Sequence, residues 1–226
     1  MNTEDEKQGH RKYYNENGIE VPSVTTICKL LDKPQLVGWA NYLGFKRIDV
    51  NKLLNEKAEY GTAVHSICQI FFSGILDEDV PTDPMFTIEE YKYLIYKFKC
   101  LDYMLNKAGF KVIRMELPME GKRVGGTLDM LLYRESTNEY MILDLKTSKS
   151  VYDSMFIQLG GYCQLMKEIY DIDISHVGII LISKEPKDKQ FVNIVKAKDN
   201  KPNEEIFTKL TDIYYLIDSK NNSKEK

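Results

Sequence analysis

Tyr140-Met141-Ile142-Leu143-Asp144-Leu145-Lys146-Thr147 decides the reading of this chain. A strand-sized apolar run bounded by polar residues is the pattern of a central strand, buried on both faces. Side chains alternate along a strand, so Asp144 and Lys146 share one face. Burying a charge costs roughly several kcal/mol unless something compensates it. A carboxylate beside an ammonium here is either a structural ion pair or a metal-ligating carboxylate next to a lysine that works on a phosphate.

The elements on either side change period halfway along the chain. Residues 1–12 read as a frayed, charged start, and Tyr13 to Val21 as a small hairpin turning at Asn17-Gly18. Pro22-Ser23 opens a short helix to about Leu31, with Ser23 as N-cap. Further helices are expected over Pro34–Lys46, Leu53–Phe72 and, from the capping pattern Thr87-Ile88-Glu89-Glu90, on to Gly109. Beyond that, Phe110–Pro118, Arg123–Tyr133 and Tyr140–Thr147 read as strands and Val151–Tyr170 as an amphipathic helix. His176–Ser183 and Gln190–Lys198 read as strands and Asn203–Ile217 as a closing helix. The fold class is therefore α/β with a helical N-terminal half. The expected organisation is 1–55 as hairpin and helices packed on the core, 56–218 as the core with a helical insertion around 75–109, and 219–226 as a flexible tail.

Composition narrows the function classes. Lys and Arg number 31 against 34 Asp and Glu, a net charge of -3, so a nucleic-acid contact must come from a local patch. The polar, acidic start does not read as a signal peptide, and no apolar run approaches the ~20 residues of a membrane span. A cytoplasmic protein without a membrane partner is expected. Cys28, Cys68, Cys100 and Cys163 are scattered without a C-x-x-C pair and read as reduced thiols filling cores.

Three further motifs bear on Asp144 and Lys146. Gly125-Gly126-Thr127-Leu128-Asp129 puts a second carboxylate in the preceding strand, after glycines that mark a bulge or a close backbone approach. Adjacent strands can bring Asp129 and Asp144 to one Mg²⁺ or Mn²⁺, whose other positions go to water and phosphate. Gly61-Thr62-Ala63-Val64-His65 sets a glycine and a histidine one turn apart on one helix face. His65 is a core histidine or a third ligand through a neutral nitrogen. Gln158-Leu159-Gly160-Gly161-Tyr162 pairs an amide with a phenol on one helix face, to brace Lys146 or touch DNA, and lets that helix lie close against a neighbour. Ser23, Thr25 and Thr26 suit phosphate contacts, with helix capping as the alternative. Tyr13, Tyr14 and Trp39 can stack on bases or pack in a core.

Taken together these motifs resemble the RecB-type branch of the PD-(D/E)xK nuclease superfamily. The resemblance covers residues 56–183 and rests on the motifs ending at His65, Asp129, Lys146 and Tyr162. Pro22-Ser23-Val24-Thr25-Thr26-Ile27 also resembles a segment of phage exonucleases and mitochondrial genome-maintenance exonucleases of this branch. The resemblance implies a restriction-endonuclease-like core (α-β-β-β-α-β, mixed sheet). It implies Asp129 and Asp144 as metal carboxylates, His65 and the Leu145 carbonyl as further ligands, and Glu116 as another. Lys146 would orient the attacking water, with Gln158 and Tyr162 in the catalytic set. Asp144 stands where a glutamate is commoner. Some relatives carry an iron–sulfur cluster, but no cysteine follows Cys163 and none is expected here. The implied function is a Mg²⁺- or Mn²⁺-dependent exonuclease acting from DNA ends on single strands, in recombination and repair in a phage, mobile element or bacterial host. A recombination partner protein would fit that setting. Lys122, Arg123, Lys146 and Lys149 would supply local positive charge. The alternative is a non-catalytic DNA-binding or recombination-partner protein on a nuclease fold.

Overall fold

The computed structural model describes residues 11–31, 34–75, 83–182, 193–197 and 199–222. Residues 1–10 of the expected frayed start (1–12) and 223–226 of the expected tail (219–226) lie outside them, as do parts of the 75–109 insertion and of the 190–198 strand. The chain is mixed α/β, and its described residues form six helices and a five-stranded mixed sheet, besides a small two-stranded one.

The sheet is built from β3 (Lys111–Glu120), β4 (Gly125–Arg134), β5 (Glu139–Lys146), β6 (Ile174–Leu181) and β7 (Asn193–Lys196), in that spatial order. Among the described strands of this sheet only the β5–β6 pair is parallel, and α5 (Asp153–Tyr170) makes its crossover. A parallel pair needs such a connection. The Tyr140–Thr147 run is thus the middle strand of five, and Met141 to Leu145 are buried without a break. Pro118, which cannot donate to a ladder, sits in the edge strand β3.

Alternation along β5 divides the core into two layers. Met141, Leu143 and Leu145 face α3 (Val50–Ser73) and α4 (Ile88–Lys107), meeting Val64, Ile67, Leu94 and Phe98. Ile142 faces α5, together with α1 (Val24–Cys28) and α6 (Lys201–Asn222). Helix ends follow from capping residues. Thr87 and Glu90 form a capping box at α4, Asp49 caps α3, and the left-handed Gly74 closes it. Ser23 caps α1 by accepting from the Thr26 amide. The closing helix α6 continues to Asn222, past the expected end at Ile217 and into the expected tail. The hairpin forms as expected, β1 (Tyr13–Tyr14) on β2 (Glu20–Val21), with Gly18 left-handed in the turn.

Two glycines set the fit of α6 on α5. A Cβ at Gly160 would lie 2.7 Å from the Asn203 backbone carbon, and one at Gly161 would lie 2.7 Å from the Phe207 ring. At Gly38 in α2 (Pro34–Phe45) a Cβ meets nothing within 4 Å. Gly160→Ala should therefore lose stability by about 1–3 kcal/mol through forced separation of the helices. Gly38→Ala should gain roughly 0.5–1 kcal/mol from helix propensity. Urea unfolding of the two variants checks this, and a stabilised Gly160→Ala would refute the close contact.

At the far end of the β4–β5 hairpin, Glu139 accepts from Thr137 and Arg134. The Thr137 hydroxyl first, then Arg134, hold its carboxyl down at about 2. The folded pKa is depressed, so this contribution is present above the unfolded value near 4.5 and lost as pH falls towards 2. Glu139→Gln should lower the melting temperature at pH 7, with the difference shrinking from pH 4.5 to pH 2. A difference independent of pH would remove the carboxylate from the stability of this hairpin.

Candidate functional site

The site forms where the β4–β5 ladder stops. Paired residues run from Arg134↔Glu139 to Met130↔Leu143, and the next residue of β4 is Asp129. The Leu145 amide donates to Asp129 Oδ2 at 2.7 Å, a carboxylate taking the bond of a lost strand partner. Across β3 the register passes from Met115↔Met130 to Leu117↔Leu128, leaving Glu116 and Asp129 between. Glu116 has φ 47°, the left-handed region that non-glycine residues avoid. Below this point Leu128 faces α5, whereas Met130 faces α3 and α4. The irregularity turns Glu116 and Asp129 towards His65.

His65 arrives from the middle of α3. Its Nδ1 lies 3.4 Å from Glu116 Oε1 and 3.5 Å from Asp129 Oδ1. Its Nε2–H donates to the Leu145 carbonyl at 3.0 Å. Ligand atoms of His65, Glu116 and Asp129 all fall within 4.8 Å of one another, a group that can hold a metal ion. Hydrogen bonding of the other ring nitrogen to a carbonyl fixes the imidazole as metal-binding histidines require. The Leu145 carbonyl, expected as a ligand, is here the acceptor that orients His65.

Asp144 and Lys146 stand beside this group, on the α5 side of β5. Lys146 Nζ lies 2.6 Å from Asp144 Oδ2, the same-face pairing expected from alternation. Asp144 is fully buried, and neither carboxylate oxygen has a hydrogen bond of good geometry despite that short ion pair. The possible ligand group is His65, Glu116 and Asp129, and Asp144 adjoins it as the counter-charge of Lys146.

Burial and charge compete throughout the site. Burial pushes the Asp144 carboxyl up, Lys146 opposes it and Asp129 adds to it, leaving it at about 6. Burial likewise raises Asp129 against the pull of His65 and Lys146. Burial alone would lower His65, but Asp129, the Glu116 contact and Asp144 carry it up to about 9. Lys146 follows the same pattern, lowered by burial and raised overall by Asp144 and Asp129. Carboxylates crowded so closely are stabilised by any cation placed among them.

The remaining expected residues divide. Gln158 Nε2 donates to the Tyr162 hydroxyl at 3.2 Å, and the buried Tyr162 ring packs on Gly126, where a Cβ would stand 2.8 Å away. Burial, then Asp144 and Asp129, push that phenol well up, so it stays protonated beneath the carboxylates. Ser23 and Thr26 are engaged with each other at the start of α1, Thr25 is exposed, and Lys149 is exposed beyond β5. Gly61 needs no close packing, because a Cβ there meets Thr147 Oγ1 at 3.5 Å. Tyr13, considered above for base stacking, is buried against Gly125, and its hydroxyl bonds Thr127 Oγ1 at 2.9 Å. The glycine pair is the sequence signal for that brace on the strand of Asp129.

No protein-family model matches the chain, and no curated protein does. Among solved structures, the crystal structure of SSO0001 is similar over 93% of this chain and 81% of that one, at 12% identity and a TM-score of 0.36.

The left-handed backbone at Glu116 has a direct test. Glycine is at no disadvantage there, whereas any other residue is strained by about 1–2 kcal/mol. Glu116→Gly should be more stable than Glu116→Ala by roughly 1 kcal/mol in metal-free protein. Chemical denaturation of both compares them directly, and an alanine variant at least as stable as the glycine one would show ordinary strand geometry at 116.

Proposed function

We propose that this chain is a metal-dependent deoxyribonuclease of the RecB-type branch of the PD-(D/E)xK superfamily, acting as an exonuclease on DNA ends. The observation that carries the reading is the joining of His65, Glu116 and Asp129 into one ligand group beside the buried Asp144–Lys146 pair. The succession β3-β4-β5-α5-β6, with its single parallel pair, supports a restriction-endonuclease-like core.

The donor set suits Mg²⁺ or Mn²⁺. Carboxylate oxygens are hard ligands, and an imidazole widens the choice towards Mn²⁺. The buried oxygens of Asp144, lacking a well-formed hydrogen bond, fit a site completed by a cation. Asp129, Glu116 and His65 Nδ1 would hold the ion, with Asp144 adjoining. A bound ion supplies Lewis acidity and an acidified water. Lys146 is placed to hold that water or a phosphate oxygen, as a compact cation with three donors. Its tie to Asp144 fixes the ammonium in position before substrate arrives. Tyr162 and Gln158 support the floor of the site through Gly126.

Substrates would be single strands with free ends, handled in recombination or repair, in a bacterial or phage-infected cytoplasm. Among the described residues no helix is long and apolar enough to cross a membrane.

The test is degradation of end-labelled linear single-stranded DNA beside the same strand closed into a circle, with Mg²⁺ or Mn²⁺ and with EDTA. Wild type should digest the linear strand, spare the circle and stop in EDTA. Asp129→Asn and Lys146→Gln, checked for folding by circular dichroism, should each lose roughly a hundredfold or more in rate. Near wild-type rates in either folded variant would dismiss the active-site assignment, and equal digestion of the circle would make the activity endonucleolytic.

A further inference from the structure

α2 and the first half of α3 form an exposed two-helix arm. In α3, residues 54–59 are exposed without interruption, and burial begins only at Tyr60. A Cβ at Gly38 or Gly44 meets nothing within 4 Å, so those positions of α2 face open space. Yet the arm is not polar. Phe45 is 91% exposed and Tyr42 59% exposed. With the half-buried Trp39 they recur every third residue, a stripe along one side of α2 with steps of about 4.5 Å along the axis.

Cations accompany the rings. Lys46 Nζ stands 5.8 Å from the Tyr42 ring centre and Lys57 Nζ 4.6 Å from that of Trp39. Residues 37–57 hold four cations against two carboxylates in a chain whose net charge is -3. Flat rings with flanking cations suit stacked bases joined by phosphates.

The arm also leads to the site. Lys57, Gly61 and His65 are successive members of one i, i+4 row on α3, so Lys57 is about 12 Å along the axis from His65. Between them Gly61 offers no side chain, although the protein's own packing would accept one. The row leads from the rings to the ligand group, with the Thr147 side chain beside Gly61.

We infer that this arm is a docking platform for single-stranded DNA, with Tyr42 and Phe45 stacking on bases and Lys46 and Lys57 meeting phosphates of the strand that runs along α3 to His65. The inference rests on the deoxyribonuclease reading for the identity of its occupant. Binding and hydrolysis are separable, so the two can fail independently.

The test uses the full chain in EDTA, where no hydrolysis intervenes, and fluorescence anisotropy of a labelled thymidine oligonucleotide across a salt series. Tyr42→Ala/Phe45→Ala should weaken binding roughly tenfold or more, with an unchanged melting temperature. Lys46→Gln/Lys57→Gln should flatten the logarithmic salt dependence by about 0.7 per lysine removed. Wild-type affinity in the ring variant would overturn the proposal, as would tighter binding of the matching RNA. A ring variant that converts a wild-type dimer to a monomer on gel filtration would give the patch to a second copy of the chain and equally overturn it. Arm-dependent binding without metal-dependent hydrolysis would uphold the platform and refute the nuclease reading. Hydrolysis with arm-independent binding would do the reverse.

Discussion

Carboxylates are gathered at one break in a β-ladder, and the local structure is arranged around the cost of that gathering. Asp129 substitutes for a strand partner by accepting the Leu145 amide, which anchors it where β4 and β5 part. Glu116 reaches the same point only through a left-handed backbone. Asp144 is buried among apolar side chains with Lys146 as its counter-charge. His65 then closes the group, holding two carboxylates at one nitrogen and a carbonyl at the other. Strain and burial of this kind persist only where packing over-determines the geometry, and they cluster at functional sites.

The surrounding fold supplies that over-determination. Both faces of β5 are covered, so Asp144 cannot escape to solvent by moving the strand. Tyr162 and Val24 press on Gly126, and Tyr13 presses on Gly125, so β4 is held from the α5 side up to Thr127. Gly160 and Gly161 let α6 seat against α5 and hold that layer in turn. The glycines of the two motifs serve packing beneath the site rather than chemistry within it.

Much of this was legible in the sequence because it follows from periodicity. The apolar run over 140–147 fixed a central strand, and alternation alone placed Lys146 with Asp144. Capping residues located the helix starts at Ser23 and Thr87. Less legible was anything that depends on a departure from regularity. The φ of Glu116 breaks strand alternation, so no period-two reading could aim its carboxylate at His65. Asp144 was expected among the metal ligands on equal terms with Asp129. Its row instead faces the α5 side with Lys146, while the break in the ladder turns Asp129 to His65. The Leu145 carbonyl went to His65 because a helix 80 residues earlier in the chain packs there, a distance over which local patterns carry no information. The end of α6 was placed short because its last turns are polar and exposed and carry no core stripe to read.

The brace between Tyr13 and Thr127 spans 114 residues, and the His65–Leu145 bond spans 80. Contacts of such sequence separation are reached late, after shorter-range helices and hairpins have formed. The β4–β5 hairpin carries neither His65 nor its own brace. Competence of the site is therefore a property of the completed fold, and a partly folded chain holds the carboxylates without the geometry that unites them.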